Sequence, residues 1–421
     1  MKIKNFRWWI AGLLALATAI NYLDRQALPV VVSELNKYIA ISDSQYGMIN
    51  SIFLFAYGTM YAVGGRIIDI LGSRKGYALM VAWWSIANML HGLVSSVAGL
   101  GVARFLLGIG EGGGFPASAK TVSEWFPAKE RSTAFGIFNT GSSIGALLAP
   151  PLITAIIIAF NWRFAFFISG ALGIVWLVCW LKLYSIPARS RYITEEEKQY
   201  VLQGSIIPNR EQPGIALGEN DKKASWSHLF RLRKVWGLLF IKFLTDGGWF
   251  FFIFWLPKYL NDVRGLDLKA IGSTSWIPYA FAGLGSLIGG WTSSYLLKKN
   301  LSLDRARRIP MAVAATFLPA SLFIMDASLG LTIGLFSMAM FGHQCWATIV
   351  QTLPADMFPS RIIGTVSGLM GCVGTYGAMS FSLAAGFLIE HYGYHSVFII
   401  AGLLHPASFI LSLALIKKIE P

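Results

Sequence analysis

Charge is scarce in this sequence. Asp, Glu, Lys and Arg together supply 13% of its 421 residues, about half the share found in ordinary soluble domains. Hydrophobic residues make up 55% and the mean hydropathy is +0.57, more apolar surface than a water-soluble fold of this size could bury. Cysteine is scarcer still. Cys179, Cys345 and Cys372 are odd in number, far apart and set in apolar stretches, which excludes a disulfide framework and reads as packing inside a bilayer. Acidic residues number 21 against 35 Lys plus Arg, for a net charge of +14. That excess does not signal a nucleic-acid partner, because the basic residues sit in short connectors between apolar segments and act there as orientation signals. No G-K-[ST] follows a Gly-rich run, so there is no P-loop, and no H-E-x-x-H or comparable catalytic set exists. The chain reads as no enzyme. Gly108, Gly110 and Gly113 fit G-x-G-x-x-G, but no strand precedes them and Glu111 lies among them in an apolar helix. These glycines read as helix packing, not as a dinucleotide fingerprint. His391 and His395 lie one turn apart without a third ligand, at an expected external helix end, so no metal site is predicted.

What is present is a series of apolar runs long enough to cross a bilayer as helices, which takes about 20 residues. Twelve are expected, near 8–32, 46–70, 76–95, 97–120, 132–158, 163–185, 235–260, 270–297, 309–326, 329–352, 362–389 and 394–416. The runs are continuous, not alternating, which favours helices over barrel strands. Lys2, Lys4 and Arg7 ahead of the first run resemble a signal peptide. The run is too long for one, passes through Asn21 and Asp24, and lacks an A-x-A-like cleavage site, so it is read as the first span. The 14% aromatic content suits interfacial Trp and Tyr.

Residues 186–232 break the pattern. Thr194-Glu195-Glu196-Glu197-Lys198 looks like the capped start of a soluble helix, and Pro208, Pro213 and Gly214 are expected to end it. The chain thus divides into an N-terminal six-helix half (1–185), a cytoplasmic linker (186–232) and a C-terminal six-helix half (233–421). With both termini in the cytoplasm, most Lys and Arg fall on the cytoplasmic side, as the positive-inside rule requires. A weak internal repeat supports the halves: Phe126-Pro127 recurs as Phe358-Pro359, Gly136 as Gly368 and Gly145 as Gly377, all at one spacing. Duplicated halves suggest a binding site near the midplane, between them.

An ionisable side chain near the bilayer centre costs about 2.5–3.5 kcal/mol on insertion scales, so those present require a reason. Span 1 carries Asn21-Tyr22-Leu23-Asp24-Arg25 at its middle, and span 4 carries Arg104 and Glu111, two turns apart on one face. Pairing with an arginine favours a charged carboxylate and burial favours a neutral one, a competition suited to a proton-driven cycle. The bland alternative is an inert ion-pair network pinning the two spans. Span 7 adds Lys242 and Asp246, one turn apart and able simply to pair, with Trp249 on roughly the same side. Tyr57, Asn139, Ser142, Ser143, His343, Gln344, Trp346 and Thr348 could bond hydroxyls, or could be glue between helices.

Gly65-x-x-x-Asp69-x-x-Gly72-x-Arg74-Lys75 resembles the signature loop of the major facilitator superfamily, with Ile70 in place of the family's arginine after the aspartate. Asn21 to Arg25, Arg104 to Pro116 and Glu124 to Pro127 with Glu130-Arg131 are similar to the anion:cation symporter branch. Lys242 to Asp246, Phe254 to Leu260 and Gln344 to Thr348 are most like bacterial hexuronate transporters. The resemblance implies an all-α membrane protein of twelve transmembrane helices in two pseudo-symmetric halves, which carries protons and a small organic anion by symport, without a cofactor. It implies proton coupling at Asp24 and Glu111, anion recognition at Arg25, and Arg104 in the same charge network. Tyr22, Tyr57 and Trp346 are implied to line a sugar-acid pocket, and Arg104, Asn139, Trp249, His343 and Gln344 are read from their own chemistry as further substrate-binding candidates. Asp69, Arg74, Lys242 and Asp246 are read as structural or gating charges. Asp246-Gly247 and Pro354 depart from the hexuronate pattern.

The expected function is alternating-access proton symport of a sugar acid, a hexuronate or aldonate, by a monomer in a bacterial inner membrane whose partners are the small carboxylated substrate and the lipid bilayer. The rivals are an anion exchanger of the same fold and a proton symporter of sialic acid or an acidic amino acid. A membrane enzyme acting on lipid-linked sugars and a receptor are two more. The enzyme would need acid/base or metal groups clustered at a membrane face, and the receptor gives no reason for the central charges.

Overall fold

A computed structural model describes residues 2–205, 229–358 and 360–420, and all of its longer elements are helices. They run in the order α1 (Phe6–Leu35), α2 (Asp43–Leu90), α3 (Val97–Gly112), α4 (Gly114–Trp125), α5 (Ala128–Ala159), α6 (Trp162–Leu183), α7 (Glu195–Ser205), α8 (Arg233–Asp262), α9 (Leu268–Thr274), α10 (Trp276–Lys298), α11 (Leu303–Ala315), α12 (Leu329–Met357), α13 (Ser360–Tyr392) and α14 (Tyr394–Leu415). Among the described residues, eight helical stretches are long and apolar enough to cross a membrane. Three expected spans are interrupted. The run near 270–297 breaks at Ser275 between α9 and α10. The run near 97–120 breaks between α3 and α4 at Gly113, and the run near 309–326 leaves α11 after Ala315 for a 3-10 turn at Leu318–Phe323. Pro208, Pro213, Gly214 and Pro359 lie outside the described residues.

The chain forms two compact units. The first holds residues 2–41, 52–205 and 260–276; the second holds residues 42–51, 229–259 and 277–420. In each, helices approach at glycines, because apolar helices in lipid associate through close backbone packing, not through hydrophobic burial. In the first unit Gly145 of α5 lies against the carbonyl of Ala19 and the Cβ of Tyr22 on α1. In the second, Gly377 of α13 lies in the same way against the carbonyl of Phe243 on α8. The sequence repeat is thus also a repeat of elements. Helix starts at 97, 128 and 162 recur at 329, 360 and 394, each 232 residues later. A side chain at either glycine would drive two helices apart. Gly145→Val is expected to cost about 1–3 kcal/mol, the usual scale of overpacking, and to displace Tyr22. Its thermal unfolding in detergent would fall by several degrees, whereas Gly136→Ala, at a position with open space around it, would leave unfolding unchanged.

The signature loop is a sharp break. Gly72 takes φ 76 and ψ 156 inside α2, a left-handed backbone that glycine adopts without Cβ strain. The flanking residues are tied to α4 and α6. Ser73 Oγ donates to Glu124 at 2.6 Å, Tyr184 donates to the same carboxylate at 2.6 Å, Trp180 Nε1 donates to the Arg74 carbonyl at 3.0 Å, and Arg74 reaches the Leu181 carbonyl. The capped helix read in the linker is α7, with Thr194 Oγ1 accepting from Glu197 N at 3.3 Å. Glu197 then serves α1, accepting from the Phe6 and Arg7 amides at 2.9 and 3.1 Å. These are N–H groups that a helix start leaves open.

Candidate functional site

The first unit's charges are assembled around a proline. Pro29 lies inside α1, four residues past Arg25, and having no N–H it leaves the Arg25 carbonyl without its helical partner. Arg104 of α3 fills that place, its NH2 donating to Arg25 O at 3.3 Å. The α3 backbone comes this close because Gly108 and Gly112 face the carbonyls of Phe53 and Tyr57 on α2 with no room for a Cβ. The lookalike nucleotide motif is therefore a packing face that brings Tyr57 and Arg104 up to α1.

Two turns beyond Arg104, Glu111 meets Arg25. Arg25 Nε and NH2 both donate to Glu111 Oε2, at 3.1 and 2.9 Å, and NH2 also donates to Asn21 Oδ1 at 3.1 Å. The guanidinium carbon lies 4.7 Å from the ring centres of both Tyr22 and Tyr57, so two aromatic faces hold the cation. Arg25, Arg104, Asp24 and Glu111 are each at most 1% exposed. Asp24 does not join the Arg25–Glu111 pair. Its Oδ1 accepts from Asn88 Nδ2 of α2 at 2.7 Å, and the same amide bonds Ser169 Oγ of α6 at 2.7 Å. Arg104 lies near enough for its charge to act on both carboxylates. Asp24 Oδ2 and Glu111 Oε1 are buried with no hydrogen-bond partner among the described residues. Each carboxyl group therefore offers one oxygen on which a proton can reside without displacing a bond.

The second unit holds the remaining candidates in a tighter aromatic setting. Lys242 Nζ and Asp246 Oδ1 pair at 2.7 Å along α8, and the carboxylate lies against Gly374, where a Cβ would collide with it. One turn on, Trp249 stacks on His343 at 4.9 Å with 7° between planes. His343 is bonded through Nδ1 to His405 Nε2 at 3.0 Å, and Trp346 meets His405 edge-on at 5.5 Å. Gln344 is half-buried, and Asn139 is exposed on α5. No described hydrogen bond joins the Asn139 side chain to the charged cluster, and the Asp69 side chain lies outside what the structure describes.

Asn88, Ser169 and His405 escaped the sequence reading. Each is one polar residue in an apolar helix, where the prior for bland packing is high. A fuller weighing of intramembrane cost would have singled out Asn88 and His405. For Arg104, Pro29 was the available signal, since a mid-span proline frees a carbonyl at a known position.

The Major Facilitator Superfamily family model matches residues 14–380. The chain is 36% identical to the galacturonate transporter of Dickeya chrysanthemi over 363 residues, covering 86% of this chain and 99% of that one. It is 33% identical to the hexuronate transporter of Escherichia coli strain K12 over 400 residues, covering 94% and 91%. Among solved structures, a bacterial homolog of the human lysosomal transporter Spinster, inward-facing and occupied, matches with a TM-score of 0.74 at 17% identity over 99% of this chain and 98% of that one. The inward-open xylose transporter of E. coli matches at 0.72 and 13% identity, over 98% and 97%. At such identities these structures establish the fold alone.

Proposed function

Given that the chain belongs to the Major Facilitator Superfamily and is a membrane transporter, not an enzyme, we propose that it carries a hexuronate or a closely related sugar acid inward by proton symport and alternating access. The two relatives name the substrate class: one is a galacturonate transporter and the other a hexuronate transporter. The proton rests on one observation, that Arg25 is held by Glu111 through a single carboxylate oxygen in a site closed to water.

Two carboxylates and two guanidiniums sum to zero in that site. A substrate carboxylate arriving at Arg25 would leave the cluster one negative charge in excess, at a depth where uncompensated charge is expensive. A proton on Glu111 removes the excess and the competition together. Neutral Glu111 releases the guanidinium, whose N–H edge, with its face held by Tyr22 and Tyr57, then serves the substrate's two carboxylate oxygens. Loss of the proton returns Arg25 to Glu111 and expels the anion. Asp24, on its own partner Asn88, is the second proton position, reached through the Arg104 charge and not by direct exchange with the substrate. Trp249, His343, Gln344 and Trp346 are proposed as further substrate contacts and Lys242 and Asp246 as structural or gating charges, with both termini cytoplasmic in a bacterial inner membrane and the monomer as the working form.

Proteoliposomes with an inward proton gradient and no internal anion are expected to concentrate galacturonate, and to lose that ability when the gradient is collapsed by an ionophore. Uptake that ignores the gradient and requires a trapped internal anion would replace symport by exchange.

A further inference from the structure

His405 is the least accounted for of the buried titratable residues. It is 0% exposed, on α14, and its Nε2 bonds His343 Nδ1. Its other nitrogen, Nδ1, is buried with no hydrogen-bond partner among the described residues. The internal repeat gives the pair a second significance, because His343 lies 232 residues after Glu111, the spacing that relates the helix starts. The position that holds a carboxylate against Arg25 in the first unit holds an imidazole against His405 in the second.

A hydrogen bond between two neutral imidazoles has two possible proton arrangements, and they differ in what is left over. If His343 Nδ1 carries the proton, His405 must carry its own on Nδ1, and a buried N–H points at nothing. If His405 Nε2 carries it, His405 Nδ1 is a bare lone pair and His343 has its N–H on Nε2. Orphaned buried N–H groups are rarer and costlier than under-used acceptors, so the second arrangement prevails. A charge on the pair finds no anion among the described ion pairs, because Asp246 of the same cluster is already paired with Lys242. Among the described residues, the ring contacts of the pair beyond each other are with Trp249 and Trp346.

We infer that His405 is a positioning residue which fixes the His343 tautomer, so that His343 presents Nε2–H as a neutral hydrogen-bond donor to a hydroxyl oxygen of the sugar acid. This rests on the sugar-acid reading above and adds the donor and what holds it. A neutral donor locked in one orientation reads the position of a hydroxyl, which a mobile cation would not, because a site built to bond a hydroxyl is left unpaired by an epimer that moves it. Trp249, parallel to the His343 ring, prevents the imidazole from turning over.

The test has two independent arms. Histidine labelled with 15N in the full-length protein in nanodiscs should show His343 protonated at Nε2 and His405 at Nε2, the two assigned by their loss in His343→Gln and His405→Gln. A His343 signal protonated at Nδ1, or both rings doubly protonated at neutral pH, overturns the tautomer assignment. In uptake assays, His405→Leu should raise the KM for galacturonate several-fold with Vmax nearly kept and should shrink the preference between galacturonate and its C4 epimer glucuronate. His405→Gln, whose Nε2–H can still donate to His343, should restore both. Equal behaviour of the Leu and Gln variants overturns the positioning role. If the wild-type protein takes up neither hexuronate, the substrate reading fails while the resonance arm still decides the tautomer.

Discussion

Glu111→Gln is expected to abolish gradient-driven accumulation of sugar acid, to the level of liposomes without protein, while retaining substrate binding and exchange of labelled for unlabelled substrate. The amide has nearly the shape of the acid and still presents an oxygen to Arg25, so the α1–α3 contact survives. What it lacks is the charge and the exchangeable proton. A neutral group at 111 copies the protonated state permanently, so Arg25 is always released to the anion. Binding of galacturonate, read by thermal stabilisation, should therefore be at least as tight as in the wild type and should lose its dependence on pH. Asp24→Asn should also stop accumulation, but its signature differs: Asp24 bonds Asn88 and not Arg25, so affinity should keep most of its pH dependence. If both variants concentrate substrate as the wild type does, the coupling assignment is wrong. If only Asp24→Asn does, Glu111 is the sole carrier and the Asn88–Asp24 bond is structural.

Much of this site is legible in the sequence because membrane burial makes charge conspicuous. Asp24, Arg25, Arg104 and Glu111 stand out in apolar runs, and the helical period alone places the latter pair, two turns apart, on one face. What the sequence does not contain is the pairing. Two carboxylates and two arginines allow several partnerships, and the choice depends on backbone approach: Gly108 and Gly112 set the distance of α3 from α2, and Pro29 decides that Arg104 bonds a carbonyl instead of Asp24. The same limit explains the helix edges. Hydropathy marks apolar runs but not the break at Gly113 or the 3-10 turn after Ala315, where an apolar stretch changes its winding without changing its composition. His405 shows a different limit, since its partner lies 62 residues away, and only the fold puts two isolated histidines within one hydrogen bond. The repeat fared better. A few matched residues at one spacing correspond to three successive elements with the same spacing of starts, and one glycine pair among them, Gly145 and Gly377, marks points where helices touch.

Arg25→Lys is expected to raise the half-saturation for galacturonate about tenfold, the effect of roughly 1.4 kcal/mol, with a smaller change in maximal rate. Charge is conserved, so Glu111 keeps a counter-ion and the protein should fold. Arg25→Ala, by contrast, would strand a buried carboxylate at a cost of about 3–5 kcal/mol and lower the yield of folded protein. The loss on going to lysine is one of shape. An ammonium is a point charge on a flexible stem, without the planar fork that grips two carboxylate oxygens side by side. It also fits poorly between the faces of Tyr22 and Tyr57, which lie at equal distance on the guanidinium. Tyr57→Leu should therefore weaken binding less in the lysine background than in the wild type, because the cation–π contact it removes is already diminished there. Arg104→Lys is the control within the cluster. Its hydrogen bond goes to the Arg25 carbonyl and not to a carboxylate, so it should disturb stability and coupling more than affinity. Should Arg25→Lys leave affinity unchanged while Arg104→Lys or Lys242→Gln weakens it tenfold, the substrate carboxylate belongs to one of those cations. Glu111 would then govern transport by holding Arg25 away from the anion throughout the cycle, not by competing with it.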